Sequence, residues 1–362
     1  MLIYFGILIA VTLLSYVLYT NKKVISIRVK VGIHNVLLVG KKRKGGCLTA
    51  FLILAFFSAV REGVGVDYDS YLRHIELIQE GTRAHYMEVG FKQLVILLKQ
   101  VSSSPRLVII LIGILTTWLF ISAIWEQSCN PTMSVFLFIA WGYYFLTYNT
   151  IRNYFALAII IYAIQYIKNS KMLYFFIFVA IASLFHKSAL VCIPIYLLAN
   201  SKWKKSTYFF LGIGTICALL FSGLLRFIVF KFYPGYEGGA YDTGRISYLN
   251  VIKAFLVIAI YVIFYKSRDE NEKNRLYFHL NVLSLAFYVG MYWVPEISRI
   301  GFYMNTTSIF LIPNVIGQIE KRQDRKILKY SIYLFSLIIF FLLCRGFYAE
   351  TVHLLPYQTW LF

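Results

Sequence analysis

Charged residues are scarce in this chain. Only 14% of its 362 residues are Asp, Glu, Lys or Arg, whereas an average soluble domain has roughly 25%. Hydrophobic residues make up 59% of the chain, and its mean hydropathy is +0.68. This composition excludes an ordinary soluble domain and indicates a membrane protein.

Cysteine is scarce as well, and the motifs of several enzyme classes are absent. The five cysteines form no CxxC pair and have no metal-ligand spacing, so we predict no disulfide framework, no metal site and no cofactor. The sequence has no Walker A motif, no GxGxxG before a helix and no HExxH, which are the marks of nucleotide and zinc enzymes. An ATP-driven pump and a nucleotide-sugar enzyme with a cytoplasmic catalytic domain are therefore disfavoured.

The chain contains many long apolar runs. A helix needs ~20 residues to cross a bilayer, and the runs predict an all-α fold, a single polytopic membrane domain over residues 1–362 with about 12 transmembrane helices. The first run lacks a basic start and a small-residue cleavage site, so we expect a retained helix rather than a signal peptide. The runs cover residues 2–19, 47–60, 107–124, 133–149, 153–167, 172–185, 188–199, 207–230, 248–265, 276–294, 300–317 and 328–344.

Lysine and arginine concentrate in one set of loops. The loops at residues 20–46, 168–171, 201–205, 266–275 and 320–329 hold 22 of the 36 basic residues. Because basic short loops are retained in the cytoplasm, this distribution predicts that both termini lie outside. No nucleic-acid partner is predicted, because the basic residues form no soluble module.

The first outer loop, residues 61–106, combines charged and aromatic residues. Its segment REGVGVDYDSYLRHIELI places Asp67 and Tyr71 on one face if it is helical. Apolar residues between positions 91 and 101 predict a second helix along the membrane interface, as a lid or rim. Asp67 is a candidate catalytic residue, and the candidate substrate-binding residues here are Arg61, Tyr68, Tyr71 and Glu88.

Two arginines and a histidine lie at outer ends of apolar runs. Arg152 precedes the fifth run, Arg299 precedes the eleventh, and His186 lies between the sixth and seventh. The positive-inside rule disfavours positive charge at an outer helix end, so an arginine at that place indicates a role other than setting the topology. Arginine suits phosphate oxygens, and histidine suits proton transfer near neutral pH. Lys187 and Tyr303 are neighbouring candidates for substrate binding.

Two further outer segments are candidates for glycan contact. The loop at residues 231–247 is rich in glycine and tyrosine and carries Arg245, a candidate substrate-binding residue. A flexible interfacial loop has the same composition. The C-terminal tail, residues 345–362, is expected to lie outside and to fold back over the outer mouth.

A purely structural interpretation exists for each of these residues. An arginine at a helix end often anchors the membrane interface by snorkelling, and a histidine there can bond to a carbonyl. The 29 tyrosines mostly suit aromatic belts. The residues therefore indicate a site only as a set.

Six segments, in order along the chain, form a familiar pattern. They are REGVGVDYDSY (61–71), EVGFKQL (88–94), IRNYFALAI (151–159), FHKSALVCIPIY (185–196), SRIGFYM (298–304) and LLPYQ (354–358). Together they resemble the EpsG family of Wzy-like polymerases of bacterial O-antigen, capsule and exopolysaccharide. Val66 stands where family members often have threonine, and Asn153 where they often have glutamine; neither difference removes a charged group.

The resemblance implies a GT-C-like glycosyltransferase that crosses the bacterial cytoplasmic (inner) membrane many times. It would transfer a growing glycan from undecaprenyl diphosphate to the terminal sugar hydroxyl of another lipid-linked repeat unit at the outer face. The implied partners are these lipid-linked oligosaccharides, the lipid bilayer, and a chain-length regulator and flippase of the same pathway.

The resemblance also suggests roles for the candidate residues. Arg152 and Arg299, with Arg245 third, would stabilise the leaving diphosphate. His186 would accept the proton of the acceptor hydroxyl, with Asp67 as the alternative base or an acceptor-binding residue. No metal ion is required, because the arginines can take the role that a metal ion has elsewhere. A metal site stays open as an alternative in the sequence, since Asp67, Asp69 and Glu88 share one loop.

Three other functions fit part of the pattern. A flippase for the same lipid-linked sugars would also use arginines in a cavity, but its charges should lie at the membrane midplane, in broken helices and two related halves. A membrane acyltransferase would use a histidine but needs a donor site on the inner side. A scaffold in an export complex would depend on no single outer residue.

Overall fold

The structure is a computed structural model of the chain. It describes residues 1–20, 26–31, 34–39, 45–81, 87–168, 171–232, 234–238, 242, 244–264, 272–294 and 297–361. Parts of two predicted outer loops, residues 82–86 of the first and residues 233, 239–241 and 243 of the second, lie outside this range.

The described chain is almost entirely helical, as the apolar runs predict. Each of the twelve runs overlaps at least one helix. The helices are α1 (Leu2–Thr20), α2 (Gly45–Val60), α3 (Tyr68–Gln79), α4 (Val89–Lys99), α5 (Arg106–Gln127), α6 (Pro131–Ala140), α7 (Tyr143–Leu146), α8 (Ile151–Lys168), α9 (Met172–Ser183), α10 (Cys192–Asn200), α11 (Lys205–Leu220), α12 (Ser222–Phe232), α13 (Tyr248–Phe264), α14 (Glu272–Gly290), α15 (Ile297–Asn305), α16 (Ser308–Gln318) and α17 (Arg322–Gly346).

One element departs from the all-α prediction. Strands β1 (Ser26–Val31) and β2 (His34–Val39) pair antiparallel, with Ser26 opposite Val39. The segment alternates β-branched residues with polar ones, for example in SIRVKV, and this period of two favours a strand. The apolar-run criterion overlooks so short an element.

Few helices have the length of a complete membrane span. Within the described residues, α5 and α17 are long and apolar enough to cross a membrane, and α11 with α12 forms a third candidate bent by 79°. Several others are apolar but shorter, with 10–17 residues. The count of twelve spans therefore stays a prediction.

The N-terminal helix and the C-terminal tail lie together. The Met1 amino group donates to the Tyr348 hydroxyl at 2.9 Å, and the Tyr4 hydroxyl donates to the Leu354 carbonyl. The two ends of the described chain are therefore on the same side of the molecule. Which side of the membrane this is stays a prediction.

Helix α8 lies at the centre of the bundle. It is buried along nearly all of its length and packs against α5 and α9. Its first turn faces the amphipathic pair α3 and α4, which pack on each other. This arrangement brings the loop at residues 61–106 to the start of α8; its role as a lid or rim at the membrane interface stays a prediction.

Candidate active site

A polar cavity of about 210 Å³ lies at the start of α8. All four candidate catalytic residues line it, although they come from separate elements of the chain. Typical ligand pockets measure ~300–1,000 Å³, so this one suits part of a substrate. Its lining residues are Asp67, Ser70, Tyr71, His74, Met87, Thr150, Arg152, Asn153, His186 and Arg299.

Local structure explains how each catalytic candidate reaches the cavity. Asp67 directly precedes α3, and its carbonyl accepts from the Tyr71 amide at 2.9 Å, so the two residues share a helical turn as predicted. Arg152 is in the first turn of α8 and Arg299 in the first turn of α15. His186 has extended backbone between the end of α9 and the 3-10 turn Lys187–Val191.

Glu88 connects two of the catalytic candidates. One carboxylate oxygen pairs with the Arg152 guanidinium, and the other lies 3.3 Å from His186 Nδ1. The Lys187 amide also donates to it at 3.4 Å. His186 Nδ1 is buried and faces this oxygen without a well-aligned hydrogen bond. Glu88 is mostly buried, with 9% of its side chain exposed.

Close packing of α4 on the end of α9 brings Glu88 to this place. The Gly90 amide donates to the Leu184 carbonyl at 2.9 Å. A Cβ atom at Gly90 would lie 2.7 Å from Leu184 Cβ and 2.8 Å from its carbonyl oxygen. Glycine therefore permits an approach that any other residue would block.

The electrostatics of the cavity are balanced. Burial raises the pKa of Asp67, and the charges of Arg299 and Arg152 partly offset that rise. Burial also acts to raise the pKa of Glu88, but contact with His186 and the charge of Arg152 outweigh it, so the pKa of Glu88 is lowered. Two arginines thus face two carboxylates, and Glu88 is ionised at neutral pH.

Other substrate-binding candidates lie beside or behind this cavity. Tyr71 lines it, and its hydroxyl accepts from Arg152 Nε at 3.4 Å. Tyr303 is buried behind the wall, where its hydroxyl donates to Asn153 Oδ1 at 3.1 Å. The Lys187 side chain is exposed near His186.

Six candidates are not among the lining residues: Glu88, Lys187 and Tyr303, described above, and Arg61, Tyr68 and Arg245. Arg61 is buried, donates to the Ser58 carbonyl at 3.0 Å and stacks 4.6 Å from the centre of the Tyr148 ring. The Tyr68 hydroxyl donates to the Arg61 carbonyl at 3.4 Å. Arg245 is exposed in the second outer loop. Arg61 and Tyr68 thus belong to the packing between α2 and the first outer loop.

The sequence reasoning did not select four polar residues of the cavity, Ser70, His74, Thr150 and Asn153. Two of them, Ser70 and His74, are on α3. They follow Asp67 by three and seven positions, so helical periodicity places them on the face that carries Asp67 and Tyr71. Ser70 Oγ lies 3.3 Å from His74 Nδ1. Extending the helical pattern from Tyr71 by one turn would have found them.

A larger cavity lies elsewhere but has less suitable chemistry. It measures about 390 Å³ between α2, α5 and α8 and is lined by Cys47, Leu48, Phe51, Trp118, Ile121, Ser122, Trp125, Glu126 and Tyr162. None of these described lining residues is a cation, so they offer no positive charge to a departing phosphate. Among the described residues, no group of three or more His, Cys, Asp or Glu side chains is arranged to hold a metal ion.

Comparison with known proteins identifies the family. No curated protein and no solved structure matches the chain. The family model of the EpsG family matches residues 46–359, nearly the whole chain. This range includes every residue of the cavity and all six segments that carry the resemblance. The chain is an integral membrane protein that belongs to the EpsG family, the Wzy-like polymerase group.

Proposed function

We propose that this protein is a polysaccharide polymerase of the bacterial cytoplasmic membrane. It transfers a growing glycan from undecaprenyl diphosphate to the terminal sugar hydroxyl of another lipid-linked repeat unit at the outer face. The observation that carries the proposal is the meeting of Asp67, Arg152, His186 and Arg299 around one cavity. Family membership supports a polymerase role in exopolysaccharide or O-antigen synthesis.

The reaction follows from the chemistry of these side chains. The acceptor oxygen attacks the anomeric carbon, and the electron pair of the breaking carbon–oxygen bond goes to the diphosphate. The negative charge on that leaving group grows in the transition state, so Arg299 and Arg152 stabilise the transition state more than the bound substrate. Direct displacement inverts the anomeric configuration.

His186 is the proposed base for the acceptor hydroxyl. With a proton on Nδ1 facing the Glu88 carboxylate, Nε2 is the nitrogen that accepts the hydroxyl proton. The carboxylate then stabilises the imidazolium that forms. This role for Glu88 differs from the direct substrate contact that the sequence suggests.

A flippase for the same lipid-linked sugars is the second candidate. Transporters place charged groups and broken helices inside the membrane. The structure has a buried lysine, Lys253, in α13, and a 79° bend between α11 and α12. The polymerase is favoured because the cavity joins a base to two arginines, a combination that transport does not require.

A reconstituted assay tests the proposal. The purified protein receives the lipid diphosphate-linked repeat unit extracted from its host, and the products are separated on a gel. We expect a ladder of polymer from the wild type. We also expect at least a 100-fold slower reaction from His186→Ala, Arg152→Ala and Arg299→Ala, because each removes a group that acts on the transition state.

The controls remove the same residue types outside the cavity. Arg345→Ala and His353→Asn change exposed side chains near the C-terminus and should leave the ladder unchanged; asparagine tolerates the positive φ of 45° at His353. Each variant must reach the membrane in normal amount. Movement of the lipid-linked unit across a vesicle membrane without any ladder would contradict the polymerase and favour the flippase.

A further inference from the structure

The α3 wall of the cavity differs in chemistry from the rest. Asp67, Ser70, Tyr71 and His74 recur at the spacing of one helical face, and all four line the cavity. None of them is a cation at neutral pH. The permanent cations that line the cavity, Arg152 and Arg299, come from α8 and α15.

We propose that this face of α3 is the subsite for the acceptor sugar, with Ser70 and His74 as residues that determine its affinity. The inference rests on the proposed function and assigns the donor and the acceptor to different walls of the cavity. The donor diphosphate contacts the arginines, and the hydroxyl groups of the acceptor contact α3.

Charge favours this assignment. The Asp67 carboxylate accepts hydrogen bonds from hydroxyl groups and repels phosphate. A diphosphate placed against α3 would meet that carboxylate, whereas an uncharged sugar would not be repelled.

His74 and Ser70 add hydrogen-bonding groups suited to hydroxyls. Burial and the charges of Arg152 and Arg73 lower the pKa of His74, so its ring is neutral at pH 7 and can both donate and accept. The 3.3 Å contact between Ser70 Oγ and His74 Nδ1 orients the two side chains with respect to each other.

The size of the cavity sets the extent of the subsite. Its volume of about 210 Å³ is below the range of typical drug-sized pockets. It suits one sugar ring at the reacting bond, while the remainder of each glycan extends beyond the cavity. The acceptor hydroxyl would then lie between α3 and His186.

The test separates the two substrates. An alkyl glycoside of the repeat unit can accept a glycan but cannot donate one, because it has no diphosphate. The lipid diphosphate-linked unit serves as donor, and each substrate is varied in turn. We expect Ser70→Ala and His74→Gln to raise the acceptor KM about fivefold, the effect of losing one hydrogen bond, with the donor KM changed less than twofold.

The matched control is on the opposite side of α3. Glu76 is exposed, and Glu76→Gln should change neither KM. A rise of donor KM in Ser70→Ala or His74→Gln, or an unchanged acceptor KM, would overturn the subsite.

Direct binding keeps this test independent of polymerisation. Calorimetry measures binding of the alkyl glycoside to the purified wild type and to Ser70→Ala, which removes a single oxygen atom and should fold normally. Weaker binding by Ser70→Ala supports the subsite, and equal binding refutes it. If the wild type binds the glycoside but makes no ladder with any donor, the proposed function fails while the subsite stands.

Discussion

Glu88 contacts Arg152 and His186 through different oxygens of one carboxylate. The contact with His186 orients the proposed base, and the contact with Arg152 neutralises a guanidinium that should meet the donor phosphate. These two effects act on different kinetic constants. A residue that positions a base changes kcat, whereas a residue that binds substrate changes KM.

Replacing Glu88 by glutamine removes the charge and keeps the shape. We expect Glu88→Gln to lower kcat about 100-fold, since a positioned base contributes typically 10²–10⁴-fold. The donor KM should stay the same or fall, because Arg152 loses a competing anion. Steady-state kinetics with varied donor concentration measures both constants, and Glu76→Gln is the control for loss of an exposed carboxylate. A higher KM with an unchanged kcat would identify Glu88 as a direct substrate contact.

Residue types and charge placement were enough to predict half of the residues that line the cavity, namely Asp67, Tyr71, Arg152, His186 and Arg299. Arginine and histidine at predicted outer helix ends conflict with the usual distribution of charge, and that conflict led to Arg152, His186 and Arg299. The pairing of Glu88 with Arg152 spans 64 positions and depends on how α4 packs against α9. No local pattern in the sequence encodes that distance.

The loop from α2 to α3 is held by the C-terminal tail. The Glu62 amide donates to the Gln358 carbonyl, the Gly65 amide to the His353 carbonyl, and the Trp360 amide to the Val60 carbonyl. Asp67 follows this loop directly. The tail therefore fixes the position of one cavity residue without lining the cavity. That this contact lies at the outer face of the membrane stays a prediction.

Two glycines in this loop allow a matched test. Gly65 has φ +108°, and a Cβ there would lie 2.6 Å from the Tyr148 carbonyl oxygen. Gly63 has φ +62°, but its nearest contact would be Gln358 Oε1 at 3.5 Å. Alanine at Gly63 costs only roughly 1–2 kcal/mol of left-handed strain, whereas alanine at Gly65 must also displace backbone.

We expect Gly65→Ala to reduce polymerisation more than tenfold, because Asp67 moves with the loop, and Gly63→Ala to reduce it less than threefold. The ladder assay measures both at equal membrane abundance. Equal effects of the two substitutions would show that backbone strain alone matters and that the contact with Tyr148 does not position Asp67.

The sequence predicts the helices more readily than it predicts the breaks between them. Continuous apolar runs predict helices, and helices occur there. The breaks at Trp141–Gly142, between α6 and α7, and at Thr306–Thr307, between α15 and α16, fall inside apolar runs. They are stabilised by tertiary contacts, such as the bond from the Tyr143 hydroxyl to Asn305 Oδ1 at 2.6 Å, which the sequence does not display.

Lys253 connects one of these breaks to α13. It is 2% exposed, and its ammonium donates to the Trp141 carbonyl at 2.7 Å, where α6 ends. It lies 5.2 Å from the centre of the Tyr143 ring. No carboxylate within the described ranges forms an ion pair with it. The contact completes the hydrogen bonding of an interrupted helix, a need that is acute inside a membrane.

A transporter and a polymerase would use Lys253 in different ways, so substitution of Lys253 distinguishes the two candidate functions. A transporter that uses this buried charge loses translocation when the charge is removed. A polymerase that uses Lys253 only as a hydrogen-bond donor keeps its turnover, since Lys253 does not line the cavity. Lys253→Gln removes the charge but keeps a donor on a side chain one atom shorter, and Lys253→Met removes both.

We expect both variants to polymerise within about threefold of the wild type per folded molecule. The free energy of unfolding of Lys253→Met should be lower than that of Lys253→Gln by about 1 kcal/mol, the net value of one hydrogen bond. Both variants lack the lysine charge, so the cost of desolvating that charge does not enter the comparison. Thermal unfolding in detergent ranks the two, while the ladder and a vesicle translocation assay measure function. Loss of translocation in both variants, with no ladder from the wild type, would assign the buried charge to transport.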